Sequence, residues 1–160
     1  PHALQTGLFL PTYTIYRYGA NNTMMISTRG RYALRVMIDL AEQKTDSYVP
    51  LKEIAARQEI SEKYLESILK LLVKGKILTG LRGKGGGYRL NKAPEEYTVA
   101  SILELTEETL APVSCLEKDA VPCSRAEICR TLDMWKGLHR LVRDYFEHIT
   151  LADLLKEQDS

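Results

Sequence analysis

Cysteine and histidine are both scarce: the 160 residues include three of each. The cysteines, Cys115, Cys123 and Cys129, are odd in number, which argues against a disulfide framework and for reduced thiols or a metal site. The histidines are His2, His139 and His148. None belongs to a nucleophile-and-base pattern, and no acids are paired as in a catalytic cleft, so nothing points to an enzyme. Long apolar runs are missing, which leaves no candidate membrane span. No signal peptide is recognisable, so the cytoplasm is the default location. Net charge is nearly absent, at +1, but that balance conceals two halves of opposite sign. Residues 24–93 hold fourteen Lys and Arg against seven Asp and Glu, whereas residues 94–160 hold seven against fourteen. A basic half joined to an acidic half suggests a nucleic-acid surface kept apart from a part that assembles or senses.

Between Leu51 and Leu90 the chain reads LKEIAARQEI SEKYLESILK LLVKGKILTG LRGKGGGYRL. Leu51, Ile54 and Ala55 share one helical face of a short run ending at Gln58. After a break at Glu59 and Ile60, Ser61 is a good N-cap for a longer run to Lys74, because its hydroxyl accepts from an otherwise unpaired amide. Glu62 lies in the first turn, where the helix dipole favours negative charge. Leu65, Ile68, Leu69 and Leu72 form the stripe to be buried, and Lys63, Tyr64, Glu66, Ser67 and Lys70 occupy the other face. Gly75 is placed to end the helix in a left-handed cap. Two short β-like runs, Ile77 to Leu81 and Tyr88 to Leu90, flank Gly83, Gly85, Gly86 and Gly87. A slim tip bordered by Arg82, Lys84 and Arg89 suits a DNA minor groove and its phosphates. The glycines do not read as a nucleotide loop, since they are not set between a strand and a helix and no Gly-Lys-Ser/Thr ending follows. Helix, tight turn, helix and hairpin are the order of a winged helix-turn-helix. The expected fold is therefore mainly α with a small β-hairpin wing, extended by a long dimerisation helix.

Around this unit, residues 1–23 are expected to be a flexible or non-native extension ahead of the Met24-Met25 pair. Thr28 to Gln43 is expected as the first helix, with Tyr32, Leu34, Val36, Met37, Leu40 and Ala41 on its buried side. Arg29 and Arg31 near its start suit either a solvated face or DNA phosphates. Residues 24–93 then form the DNA-binding domain, and residues 94–129 a linking helix and cysteine loop. Thr98 caps the linking helix, which is expected to end near Leu110 ahead of Pro112. A short helix is expected from Ser124. Residues 130–160 hold the dimerisation helix and a terminal helix capped by Thr150. Along the former, Leu132, Trp135, Leu138, Val142, Tyr145, Phe146 and Ile149 recur at three and four, a stripe suited to a second subunit.

The segments ISTRGRYALRVMIDLA, ISEKYLESIL and RGKGGGYRL, together with the cysteine loop and the terminal ITLADLL, resemble the IscR/NsrR/CymR family of bacterial winged-helix regulators. The resemblance spans nearly all of Met24 to Leu155. It implies a repressor-like transcription regulator, not an enzyme, acting as a homodimer on a roughly palindromic double-stranded DNA operator. It places base reading on Ser61, Glu62, Lys63, Tyr64 and Glu66, and wing contacts on Arg82 and Lys84. Supporting phosphate contacts fall to Thr28, Arg29, Arg31 and Tyr32.

The resemblance also implies an iron–sulfur cluster, [2Fe-2S] or [4Fe-4S], on Cys115, Cys123 and Cys129. The spacing here is Cys-x7-Cys-x5-Cys, whereas cluster-binding members carry five residues in each gap. A cluster wants four protein ligands. Leu132 stands where the IscR branch has a histidine, and Arg31 where the NsrR branch has an aspartate of the other subunit. Glu127, Asp133, His139 or a small thiol are left as fourth ligands. The alternatives are a cluster-free regulator governed by thiol oxidation or by a protein partner, as in the CymR branch and its sulfur metabolism, or a winged-helix protein-interaction module.

Overall fold

The computed structural model describes residues 26–44 and 46–156. Among them the order is α1 (Thr28–Glu42), α2 (Leu51–Gln58), α3 (Glu62–Lys74), β1 (Leu78–Leu81), β2 (Gly87–Leu90), α4 (Val99–Thr106), α5 (Leu132–Glu147) and α6 (Leu151–Lys156). The mainly α architecture with one antiparallel hairpin is the one expected. Residues 1–23 lie outside the described residues.

The core forms where the apolar stripes of α1, α2 and α3 meet. Ala33, Val36 and Met37 of α1, Ile54 of α2, and Leu65, Ile68, Leu69 and Leu72 of α3 are all fully buried. Burying one such aliphatic side chain contributes about 1.5–3 kcal/mol relative to leaving it in water. Into this core α1 also brings a carboxylate, Asp39, with 2% of its surface exposed. Arg57 of α2 grips it through two bonds, Nε to Oδ1 and Nη2 to Oδ2, both 2.8 Å. Gln58 adds a third at 2.9 Å. The carboxylate raises the Arg57 pKa through its hydrogen bond and its charge. The left-handed C-cap Glu59 (φ 54°, ψ 42°) then turns the chain, and Ser61 caps α3 by accepting from the Tyr64 amide at 3.3 Å.

Gly75 does not take the expected left-handed conformation; its φ is −74°, and the left-handed residue is Lys76 at φ 61°. The glycine answers a packing need instead, since a Cβ there would land on the Leu105 side chain of α4. The hairpin pairs Leu78 with Leu90 through Leu81 with Gly87. An isolated bridge ties it to the loop before α2: Val49 N donates to Tyr88 O and Tyr88 N to Val49 O, each at 2.9 Å. Gly87 permits this approach, because a Cβ would collide with the Val49 carbonyl.

The linking helix α4 ends at Thr106, four residues before the expected Leu110. Glu107 leaves in an extended conformation and delivers its carboxylate to Ser27, accepting from its amide at 3.2 Å and its hydroxyl at 2.8 Å. The helix expected from Ser124 is only a 3-10 turn over Ala126–Ile128. Following α5, the chain returns to the core: Leu151 of α6 is fully buried, and Val99 N donates to Ile149 O at 2.9 Å. Thr150 and Asp153 cap α6 reciprocally, and the Thr150 hydroxyl holds the Asp153 carboxyl below its usual pKa.

Tyr97, 1% exposed, joins hairpin and α4. Its hydroxyl accepts from the amides of Asn91 and Lys92, both at 2.8 Å, and donates to Ile77 O at 3.1 Å. Burial raises the phenol pKa, and the two amides partly offset that. Tyr97→Phe leaves two amides and a carbonyl without their partner. Chemical denaturation should show a loss of about 1–3 kcal/mol; an unchanged midpoint would mean water replaces the hydroxyl.

Candidate nucleic-acid interface and cysteine loop

The buried stripe of α3 turns Glu62, Lys63, Tyr64, Glu66, Ser67 and Lys70 outward, and all six are exposed. Ser61 sits at the helix entrance, so the three first-turn residues Glu62, Lys63 and Tyr64 lead the helix. Glu66 pairs with Lys70 at 3.0 Å. Both line a groove of about 310 Å³ between α3 and the hairpin, whose other wall includes Leu81 and Arg82. Arg82 and Lys84 are exposed at a tip where Gly83 (φ 92°) and Gly85 (φ 76°) carry the turn. Neither cation has an ion pair among the described residues. Arg89 is a strut rather than a tip residue: it lies 4.9 Å from the Tyr48 ring centroid and donates to Asp46 O at 3.0 Å.

At the start of α1 the proposed phosphate contacts divide. Thr28 and Arg31 are exposed and bonded to each other, Arg31 Nη2 to Thr28 Oγ1 at 3.2 Å. Arg29 turns away, with Nε donating to Thr106 O at 2.6 Å, so it stabilises the carboxyl end of α4. Tyr32 is half-buried, its ring edge-on to Tyr64 with centroids 6.0 Å apart.

The three cysteines are free and exposed on the segment between α4 and α5. Three thiols are suitable donors for iron in kind. In placement they are not assembled: no three His, Cys, Asp or Glu side chains converge on a point that could hold a metal among the described residues. As arranged, Cys115, Cys123 and Cys129 do not fit a cluster. Cys129 has its own chemistry. Its sulfur lies 3.5 Å from the Thr131 hydroxyl, just ahead of α5. That hydroxyl first, then the Thr131 and Leu132 amides, hold its thiol pKa below the ordinary value.

Little in the sequence marks Arg35, Asp39, Gln58, Tyr97 and Glu107 as the residues that support this surface. Asp39 carried the one usable signal, an acid amid the apolar positions of α1, which buried without a partner would be costly.

A capped helix, an exposed second helix and a basic glycine tip define a winged helix-turn-helix DNA-binding regulator. Residues 26–157 match the Rrf2 family, described as iron-dependent transcriptional regulators. The chain belongs to this family. It is 35% identical over 136 residues to the HTH-type transcriptional regulator IscR of Erwinia tasmaniensis, covering 85% of this chain and 81% of that protein. It is similar in structure to CymR, the global cysteine regulator of B. subtilis, at a TM-score of 0.65 and 32% identity, covering 83% of this chain and 97% of that one. T. potens IscR gives 0.65 and 32%, covering 84% and 88%. No described helix is long and apolar enough to cross a membrane.

With Cys115 and Cys123 changed to Ser, alkylation of the remaining Cys129 should have a pH midpoint below that of a free thiol. Thr131→Val should move that midpoint upward. If the two profiles coincide, the hydroxyl does not hold the thiolate.

Proposed function

We propose that the chain is a cytoplasmic homodimer that binds a roughly palindromic operator and whose affinity follows the state of Cys115, Cys123 and Cys129. One observation carries the DNA-reading part: Glu66 on α3 and Arg82 on the wing line the same groove, beside the exposed first turn of α3. Ser61, Glu62, Lys63, Tyr64 and Glu66 then meet base edges, because the first residues of such a helix reach them first. Arg82 and Lys84 enter the neighbouring groove or its phosphates, and Thr28, Arg31 and Tyr32 steady the backbone. Arg29 is withdrawn from that set, since its guanidinium already serves Thr106. The homodimer rests on α5, a strongly two-sided helix with no buried residue and with Met134, Leu141 and Tyr145 more than half exposed. A second subunit would cover that apolar surface.

For the sensor, the family's description as iron-dependent and the CymR relative's as a cysteine regulator fit two readings, a cluster and a thiol response. A cluster on Cys115, Cys123 and Cys129 requires the loop to close and a fourth donor to join. Thiol oxidation is supported by Cys129, whose thiol pKa the Thr131 hydroxyl and the amides at the start of α5 lower.

Operator binding of Arg82→Ala should weaken by roughly 1–3 kcal/mol in fluorescence anisotropy. Wild-type affinity in Arg82→Ala, Tyr64→Ala and Glu66→Ala alike would sink the DNA-reading assignment.

Protein purified without oxygen, with its spectrum and its iron and sulfide content measured, decides the sensor. A cluster gives visible absorbance that any single Cys→Ser change removes. A thiol sensor is colourless, yet loses or gains operator affinity on oxidation. If the triple Ser variant keeps wild-type affinity and the same response in cells, control lies in a protein partner.

A further inference from the structure

Arg35 lies on the exposed side of α1, one turn beyond Arg31. Its position resembles that of another phosphate clamp, but its bonds run inward. Nε donates to Gln58 Oε1 at 3.1 Å, and Nη2 donates to the Gln58 carbonyl. Gln58 is the last residue of α2, so its carbonyl is one that the helix leaves without a partner. Gln58 in turn donates to the buried Asp39 carboxylate. The guanidinium carbon lies over the Tyr32 ring, with Cζ 5.0 Å from the ring centroid. Tyr32 meets Tyr64 edge-on, the planes inclined at 69°. Tyr64, with 37% of its surface exposed, is the third residue of α3. A continuous set of contacts therefore runs from the core carboxylate through Gln58, Arg35 and Tyr32 to an outward-facing ring on the helix that leads into DNA.

We propose that Arg35 is a positioning residue for DNA reading: without touching a base, it holds Tyr32 and thereby fixes the direction in which Tyr64 points. This rests on the reading that Tyr64 contacts bases. Two features of arginine are used together here, the fork of donors on Gln58 and the delocalised cation over Tyr32. Lysine has the charge and neither of these. Two of the five guanidinium donors are already engaged by Gln58. Loss of Arg35 should free the Tyr64 ring to sample other rotamers. The cost then falls on discrimination between sequences, while the electrostatic part of binding persists.

The test uses the full chain and its selected operator, with a set of operators each changed at one base pair. Affinities are measured across a salt series for wild type, Arg35→Lys, Arg35→Gln, Tyr64→Ala and the Arg35→Lys/Tyr64→Ala double variant. Arg35→Lys should reduce discrimination roughly tenfold, the size of an ordinary coupling between packed side chains. The reduction should appear at the base pairs that Tyr64→Ala affects, with the salt slope unchanged. The double variant should be no worse than Tyr64→Ala, because Arg35 acts through that ring. A phosphate clamp behaves otherwise: lysine preserves discrimination, and Arg35→Gln lowers the salt slope by about one. That result overturns the proposal, as does a double variant whose losses add. If Tyr64→Ala itself leaves discrimination intact, base reading by Tyr64 has failed and the proposal with it. If Tyr64→Ala acts and Arg35→Lys does not, the positioning step alone has failed.

Discussion

The buried carboxylate of Asp39 is the constraint on which the winged helix-turn-helix depends. An ionised group removed from water is tolerable only when its oxygens are taken up by donors in good geometry. Arg57 and Gln58 provide three such donors, and both belong to the last turn of α2. Satisfying Asp39 therefore fixes where α2 ends against α1. The end of α2 fixes the left-handed turn at Glu59, and that turn fixes where Ser61 begins α3. Apolar burial alone would allow α2 to slide along α1 by small amounts at little cost. A bidentate ion pair with a third hydrogen bond does not, because each bond has its own length and direction.

A second tie joins the acidic half to the start of α1. Glu107 receives the amide and hydroxyl of Ser27, and Arg29 closes on the carbonyl of Thr106. Gly30 lies beneath this junction, where a Cβ would strike the Glu107 carboxylate. The segment leading to the cysteines thus leaves from a point bonded to the N-cap of α1, two residues ahead of Arg29 and close to Thr28 and Arg31. The opposed charges of the two halves have a local meaning here, with a carboxylate and an arginine each used across the boundary.

Much of the local structure was legible because its causes are local. The spacing of Leu65, Ile68, Leu69 and Leu72 marks the buried side of α3, and Ser61, Thr98 and Thr150 cap helices with hydroxyls as their positions suggest. The wing was legible through its glycines, although Gly87 is needed for Val49 rather than for the tip. What could not be read depends on residues far apart. Ser27 and Glu107 are separated by 80 positions, and nothing in either sequence context names the other. Arg29, Arg31 and Arg35 look alike in the sequence, yet one holds α4, one meets Thr28, and one holds Gln58 and Tyr32. Gly75 suits a left-handed cap on local grounds and is explained instead by Leu105, thirty residues on. The cysteine spacing is plain in the sequence, but the placement of three thiols depends on a loop with two short turns and no packed core of its own.

The two surfaces that the fold leaves open differ in kind, and so must what covers them. On α3 and the wing the exposed groups are mostly charged or hydroxylic, with Leu81 the apolar exception, a surface of the kind that suits a polyanion able to shed its counterions. On α5 the exposed groups include Met134, Leu141 and Tyr145, which gain by leaving water and are matched to protein. The ends of α5 are held unequally. Its carboxyl end is fixed, because Ile149 O accepts from Val99 N and Leu151 lies in the core. Arg143, three-quarters of the way along, is bonded to Glu104 of α4 at 2.8 Å. Its amino end emerges from the exposed cysteine loop with Cys129 against Thr131. The cysteine loop therefore leads directly into one end of a helix whose other end is anchored in the core. The exposed apolar groups lie between those ends, so the cysteine loop, the apolar face and the core meet along a single element.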